Sequence, residues 1–151
     1  MEKNIKLDLY KLAKTLIESK INENKLAIAS LKESVGSESK STAGDKHETG
    51  RAMMHIEQEK VMRQLANNQK LMALLDRVDP ELVNKNIQLG TLVITNDIRF
   101  YIIGGLGQLE LHGKNYLLVS FQSDLVQAFK GKKEGDLVQF KDKSYAIEQL
   151  L

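Results

Sequence analysis

The sequence predicts an antiparallel helical hairpin followed by a small α+β domain with a mostly antiparallel sheet and one short helix. Three observations predict it. Residues 5–35 and 53–79 carry apolar side chains at helical spacing, with no proline in either stretch. A run of Gly, Ser and Thr separates them. Beyond Pro80, the chain's single proline, the pattern turns into short, Gly-punctuated β-like runs. The expected boundaries are 1–79 for the hairpin with its tip near 36–50, 80–86 for a linker, and 87–151 for the second domain.

The first helix shows Ile5, Leu9, Leu12 and Leu16 on one stripe. Further on, Ile21, Ile28 and Val35 repeat every seven residues, with Ile17 four before Ile21 and Leu31 three after Ile28, which is the a/d seam of a coiled coil. At 1.5 Å per residue this helix runs about 45 Å and needs a partner to bury its stripe. Gly36-Ser-Glu-Ser-Lys-Ser-Thr-Ala-Gly44 reads as a loop. Asp45 follows at a plausible N-cap with Glu48 at the third helical position, the spacing of a capping box. From Met53 the period returns: Met54, Val61, Leu65, Met72 and Leu75 share a face, with Ile56 beside it. The helix is expected to end near Asp79, because proline disfavours helix for the residue before it. Two long helices joined by a short polar loop run antiparallel.

In the second domain the expected strands are Gly90–Thr95, Arg99–Gly104, Tyr116–Phe121, Asp136–Phe140 and Ser144–Leu150. Ser123 caps a short helix that Gly131 stops. Lys141-Asp-Lys143 is a tight connection between the last two strands, and Gly104-Gly-Leu-Gly107 reads as a turn, since no helix follows it as a phosphate loop requires.

Charge excludes some functions. The net charge is +2; residues 1–79 hold 14 Lys/Arg against 12 Asp/Glu, and residues 80–151 hold 8 of each. That even spread gives no electrostatic reason to bind free DNA. There is no cysteine, which excludes disulfides and thiolate metal sites. No apolar run approaches the ~20 residues that span a bilayer, and no secretory leader is visible, so a soluble cytoplasmic protein is expected.

The stretch that holds chemistry is Ser41-Thr-Ala-Gly-Asp-Lys-His-Glu-Thr-Gly-Arg51, with Asp45 and Glu48 three apart among small polar residues. His47 and His55 flank Glu48, but Arg51 stands where a His-Glu-x-x-His zinc motif needs its second histidine. Lys46 and Arg51 could face phosphates or form a solvated face. His112 and Lys130-Gly-Lys-Lys133 read as surface, and Met53, Met54, Met62 and Met72 as core filling.

Two segments resemble the bacterial Gre transcript-cleavage factors. Gly44-Asp-Lys-His-Glu48 is similar to that family's Gly-Asp-x-x-Glu tip. Phe121-Gln-Ser-Asp-Leu-Val-Gln-Ala-Phe-Lys-Gly-Lys-Lys-Glu-Gly-Asp136 resembles its strand, short helix and Lys-x-x-Gly-Asp segment, and Leu137–Phe140 with Tyr145–Leu150 resembles its closing hairpin. The resemblance implies an FKBP-like fold for residues 87–151. It also implies a factor that is not itself an enzyme: it binds RNA polymerase and inserts the hairpin into the secondary channel. There Asp45 and Glu48 would help hold the polymerase's second Mg²⁺, so that the polymerase cuts backtracked RNA. Lys46 and Arg51 would lie near the RNA 3′ end. No cofactor of its own and no membrane partner are implied.

The chain departs from that family at Thr49-Gly-Arg-Ala52, where the usual tip continues Asn-Ala-Glu-Tyr, and at Asp124, which stands for a proline. Two other readings therefore stand beside the first. One is a channel-occupying regulator without cleavage activity, and the other a non-transcriptional coiled-coil interaction module. A prolyl isomerase is a further class, which the few aromatics of the second domain do not favour.

Overall fold

The computed structural model describes the backbone of residues 2–39 and 44–151 and the side chains of residues 5–34 and 48–151. Helix α1 spans Glu2–Ser39 and helix α2 spans Gly44–Asp76. The stretch read as a loop over 36–44 is therefore helical up to Ser39. One glycine inside a helix costs about 1 kcal/mol, whereas each further residue adds a hydrogen bond to a helix already formed. At the other end the reading of Asp45 as a cap is also corrected. Gly44 is already helical, and a cap residue has non-helical backbone. Helix α2 ends three residues earlier than expected, at Asp76. The N–H groups of Arg77 and Val78 then bond back to the carbonyls of Leu74 and Leu75, a 3₁₀-type tightening before Pro80.

The chain divides into two compact units, Thr15–Met72 on the one hand and Met1–Lys14 with Ala73–Leu151 on the other. Within Thr15–Met72 the helices meet along a seam of alternating four- and three-residue steps. On α1 it is made by buried Ile17 and partly buried Ile21, Asn24, Ile28 and Leu31. On α2 it is made by buried Val61 and partly buried Met54, Gln58, Leu65, Asn68 and Met72. Two of the expected core methionines, Met53 and Met62, instead lie outside it, 66% and 51% exposed. Ile56 is likewise on the outer face.

The other unit holds a six-stranded sheet. Its strands are β1 (Leu92–Thr95), β2 (Arg99–Ile102), β3 (Gly107–Leu111), β4 (Lys114–Val119), β5 (Leu137–Phe140) and β6 (Lys143–Leu150), with α3 (Asp124–Phe129) between β4 and β5. The spatial order is β3-β4-β2-β1-β6-β5, with every pair antiparallel except β2 and β4. Strand β3 was not expected from the sequence. It is an edge strand whose side chains are exposed or half-buried, so it carries little apolar signal. His112 and Gly113 both have positive φ between β3 and β4, as do Lys141 and Asp142 between β5 and β6, which is the geometry of two-residue hairpins.

Helix α3 packs Val126 and Phe129 onto one face of this sheet, against Val93, Phe100, Ile102, Val138, Tyr145 and Ile147. Ser123 caps it as expected, its hydroxyl oxygen accepting from the Val126 N–H. Leu92, Tyr101, Tyr116 and Leu118 are also buried. Ile5, from the first turns of α1, shares a cleft with Leu92, Ile94, Arg99 and Tyr116. Among the described residues of α1 in this unit, Lys6, Leu9 and Ala13 are buried. The stripe is thus rotated from the expected Ile5-Leu9-Leu12-Leu16, leaving Leu12 37% exposed. Gly90 is required by its backbone: φ is +95°, its N–H donates to the Ile102 carbonyl at 2.7 Å, and a Cβ there would lie 3.3 Å from Val78 Cγ1.

Two buried polar groups in this unit lead to predictions. The Tyr101 hydroxyl is enclosed and has no hydrogen-bond partner among the described residues. An unsatisfied buried hydroxyl costs about 1–3 kcal/mol. Tyr101→Phe is accordingly expected to raise stability by about 1 kcal/mol in urea unfolding, and a loss of that size would show that the hydroxyl is bonded after all.

The second group is Lys6, 2% exposed, whose Nζ donates to the Leu82 carbonyl at 2.6 Å. Burial lowers its pKa to about 8, and the nearby Asp79 carboxylate only partly opposes this. A lysine lowered on folding costs stability wherever it must be charged. Between about pH 8 and the ordinary lysine range the unfolded chain binds the extra proton, so stability rises with pH across that window. Tyr101, raised by burial, acts in the opposite sense above the ordinary tyrosine range. The melting temperature measured from about pH 8 to about 9.5 is therefore expected to climb, and Lys6→Met is expected to remove that climb.

Candidate functional site at the start of the second helix

The N-terminal turns of α2 hold the acids singled out in the sequence. Asp45 and Glu48 both lie on helical backbone, and a separation of three places them on one helix face. Glu48 and Thr49 are exposed. The side chains of Asp45, Lys46 and His47 lie outside the described residues, so only their places along the helix are given. Helix N-termini favour negative charge, which lets two acids sit in these turns at little cost.

Arg51 is placed differently from a free surface cation. It falls on the α2 row of Gln58, Leu65 and Met72, at seven-residue spacing. It is partly buried, and its Nε is enclosed with no hydrogen-bond partner among the described residues. His55 is exposed, one turn further along. Met53 and Ile56, each 66% exposed, put an apolar strip on the outer surface of the same turns.

The chemistry open to these groups is that of hard oxygen ligands. Two carboxylates on one turn can contribute oxygens to a divalent ion but cannot fill an octahedral Mg²⁺ shell, which takes water or phosphate for the remainder. Among the described residues no group of three or more His, Asp or Glu side chains is placed to hold a metal ion.

Comparisons with protein-family models, with curated proteins and with solved structures returned no match to this chain. The sequence and the fold therefore carry the functional argument.

The remaining candidates fall away from these turns. Lys130, Lys132 and Lys133 are exposed where α3 ends. His112 sits in the β3–β4 turn with Nε2 3.7 Å from the Asp8 carboxylate. Among the described residues no helix is long and apolar enough to cross a membrane.

A polar layer in the hairpin was missed from the sequence. The Asn68 amide donates to the Asn24 carbonyl at 2.8 Å, and the Asn24 amide faces the Gln64 carbonyl at 3.4 Å. A signal was present: Asn24 stands midway between Ile17 and Leu31 in a seven-residue row, where an apolar residue is the rule.

Proposed function

We propose that this chain is a Gre-like transcription elongation factor that binds RNA polymerase, inserts its helical hairpin into the secondary channel and stimulates cleavage of backtracked RNA. The observation that carries the reading is the pair Asp45 and Glu48, on one face in the first turns of the second of two long antiparallel helices. A sheet domain with the Phe121–Asp136 segment follows it. The described fold supports this reading in two further respects. The seam of α1 and α2 repeats as a coiled coil does, giving a stiff arm. The six-stranded sheet crossed by the single short helix α3 is compatible with an FKBP-like domain, which would provide the docking surface.

In this reading the protein performs no cleavage alone. The metal ion at the polymerase's active centre supplies Lewis-acid activation of water and stabilises the leaving oxygen. The Asp45 and Glu48 carboxylates each offer an oxygen ligand and hold their place because both sit on one helix. Lys46, in the same turn, would lie near the phosphates of the RNA 3′ end. Arg51, whose Nε is enclosed, is less free to reach them.

The position of Arg51 favours a second reading, in which the hairpin occupies the channel and modulates initiation or pausing without cleavage. An arginine whose Nε is already enclosed is less available to phosphate than a free surface cation. One experiment separates the two. Adding the protein to stalled, backtracked complexes yields shortened transcripts in the first case, and in the second yields binding without shortening. Failure to bind the cognate polymerase at all would leave the hairpin as an interaction arm of another system.

A further inference from the structure

We propose that Asn24, Gln64 and Asn68 form a register lock that holds the two helices of the hairpin in a single alignment. The inference concerns the unit Thr15–Met72 alone and holds whatever partner the protein binds.

Asn24 sits in the α1 seam between Ile21 and Ile28, and Asn68 sits in the α2 seam between Leu65 and Met72. All four neighbours are apolar and partly buried. The Asn24 side chain uses both of its ends across the interface. Its oxygen accepts from Asn68, and its nitrogen points at the Gln64 oxygen one turn away on α2. Lys20, Glu23 and Asn67 complete a polar cleft on the same side.

The aliphatic positions of the seam do not distinguish one alignment from another. Ile, Leu, Val and Met at four- and three-residue steps pack about equally well after a shift of one heptad, because such side chains tolerate exchange. The amides do not tolerate it. After a heptad shift Asn24 faces Val61 or Leu75, and Asn68 faces Ile17 or Leu31. Each amide then loses its partner while staying against aliphatic neighbours, which is the means by which a single polar seam position specifies register at some cost in stability. A shift of seven residues displaces α2 by about 10 Å along α1, and Asp45 and Glu48 with it. In the proposed function such a lock would fix the place at which those acids are presented.

The chain has no cysteine, so two introduced ones report cleanly. Lys32 and Lys70 are both exposed. Counting antiparallel from the Asn24–Asn68 pair sets them ten residues apart along the axis, about 15 Å. Spin labels at Lys32→Cys and Lys70→Cys, diluted with unlabelled protein, are expected to give one narrow distance in the native hairpin. In the Asn24→Leu/Asn68→Leu chain a second population displaced by about 10 Å is expected, together with a higher melting temperature by far-ultraviolet circular dichroism. Asn24→Leu alone strands the Asn68 amide and is expected to lower that temperature. A single unchanged distance in the double variant would overturn the lock. So would a single variant that melts as high as the double.

Discussion

Asp45→Asn and Glu48→Gln are each expected to reduce the shortening of RNA in stalled, backtracked polymerase complexes by about 100-fold, with binding to the polymerase unchanged. The size follows from the role. Removing one charged ligand from a metal that stabilises a developing charge costs about 3 kcal/mol of transition-state stabilisation, and each 1.36 kcal/mol is tenfold in rate. The two changes together are expected to cost little more than either alone, since in the proposed role both carboxylates would serve one ion and such effects are not additive. Both substitutions keep side-chain shape on a helical turn where Glu48 is exposed, so folding is not expected to change. Cleavage that persists at full rate in both variants would sink the assignment of these residues. Native protein that binds the polymerase and shortens no transcript would instead establish the channel-occupying reading.

Phe129→Ala is expected to destabilise the sheet unit by about 3–5 kcal/mol, the range for removing a fully buried aromatic side chain. Phe129 is completely buried, with its ring edge-on to Phe100 at 5.0 Å and tilted against Tyr145 at 6.0 Å. It is the one aromatic side chain by which α3 enters the core, and aromatic pairs of this geometry add to the burial itself. The four tyrosines, at positions 10, 101, 116 and 145, all belong to the unit made of Met1–Lys14 and Ala73–Leu151, and the chain has no tryptophan. Tyrosine emission during urea unfolding thus follows that unit without a contribution from Thr15–Met72. A loss below about 1 kcal/mol would show that α3 is not anchored through this ring.

The legible part of the fold is the part whose signal repeats along the chain. Two helices of more than 30 residues carry many turns of the same spacing, so a single exception such as Gly36 does not hide them. It does mislead about their ends, because a helix already formed runs through one unfavourable residue. The tight turn at Lys141-Asp142 and the Ser123 cap were legible for a different reason: each is decided by a few adjacent residues. Strand β3 was not, since an edge strand with two open sides need not be apolar. At the candidate site, Asp45 and Glu48 were found by type and spacing. The enclosure of the Arg51 Nε was not, because a lone arginine after a glycine reads as surface until its surroundings are packed.

Taken alone, the amino-acid sequence determined that this protein has a long helical hairpin and then a sheet domain, and that two acids three apart open the second helix. These features depend on local periodicity and neighbouring residues, which the chain displays directly. Only the tertiary structure decided which faces are covered. It turned the α1 stripe so that Lys6 and Ala13 are buried and Leu12 is not, paired β2 with β4 in parallel, and joined Asn24 to Asn68 across the seam. Each of these joins residues between about 15 and 75 positions apart, and no local pattern specifies such a pairing, because the energy that selects it exists only when both segments are packed.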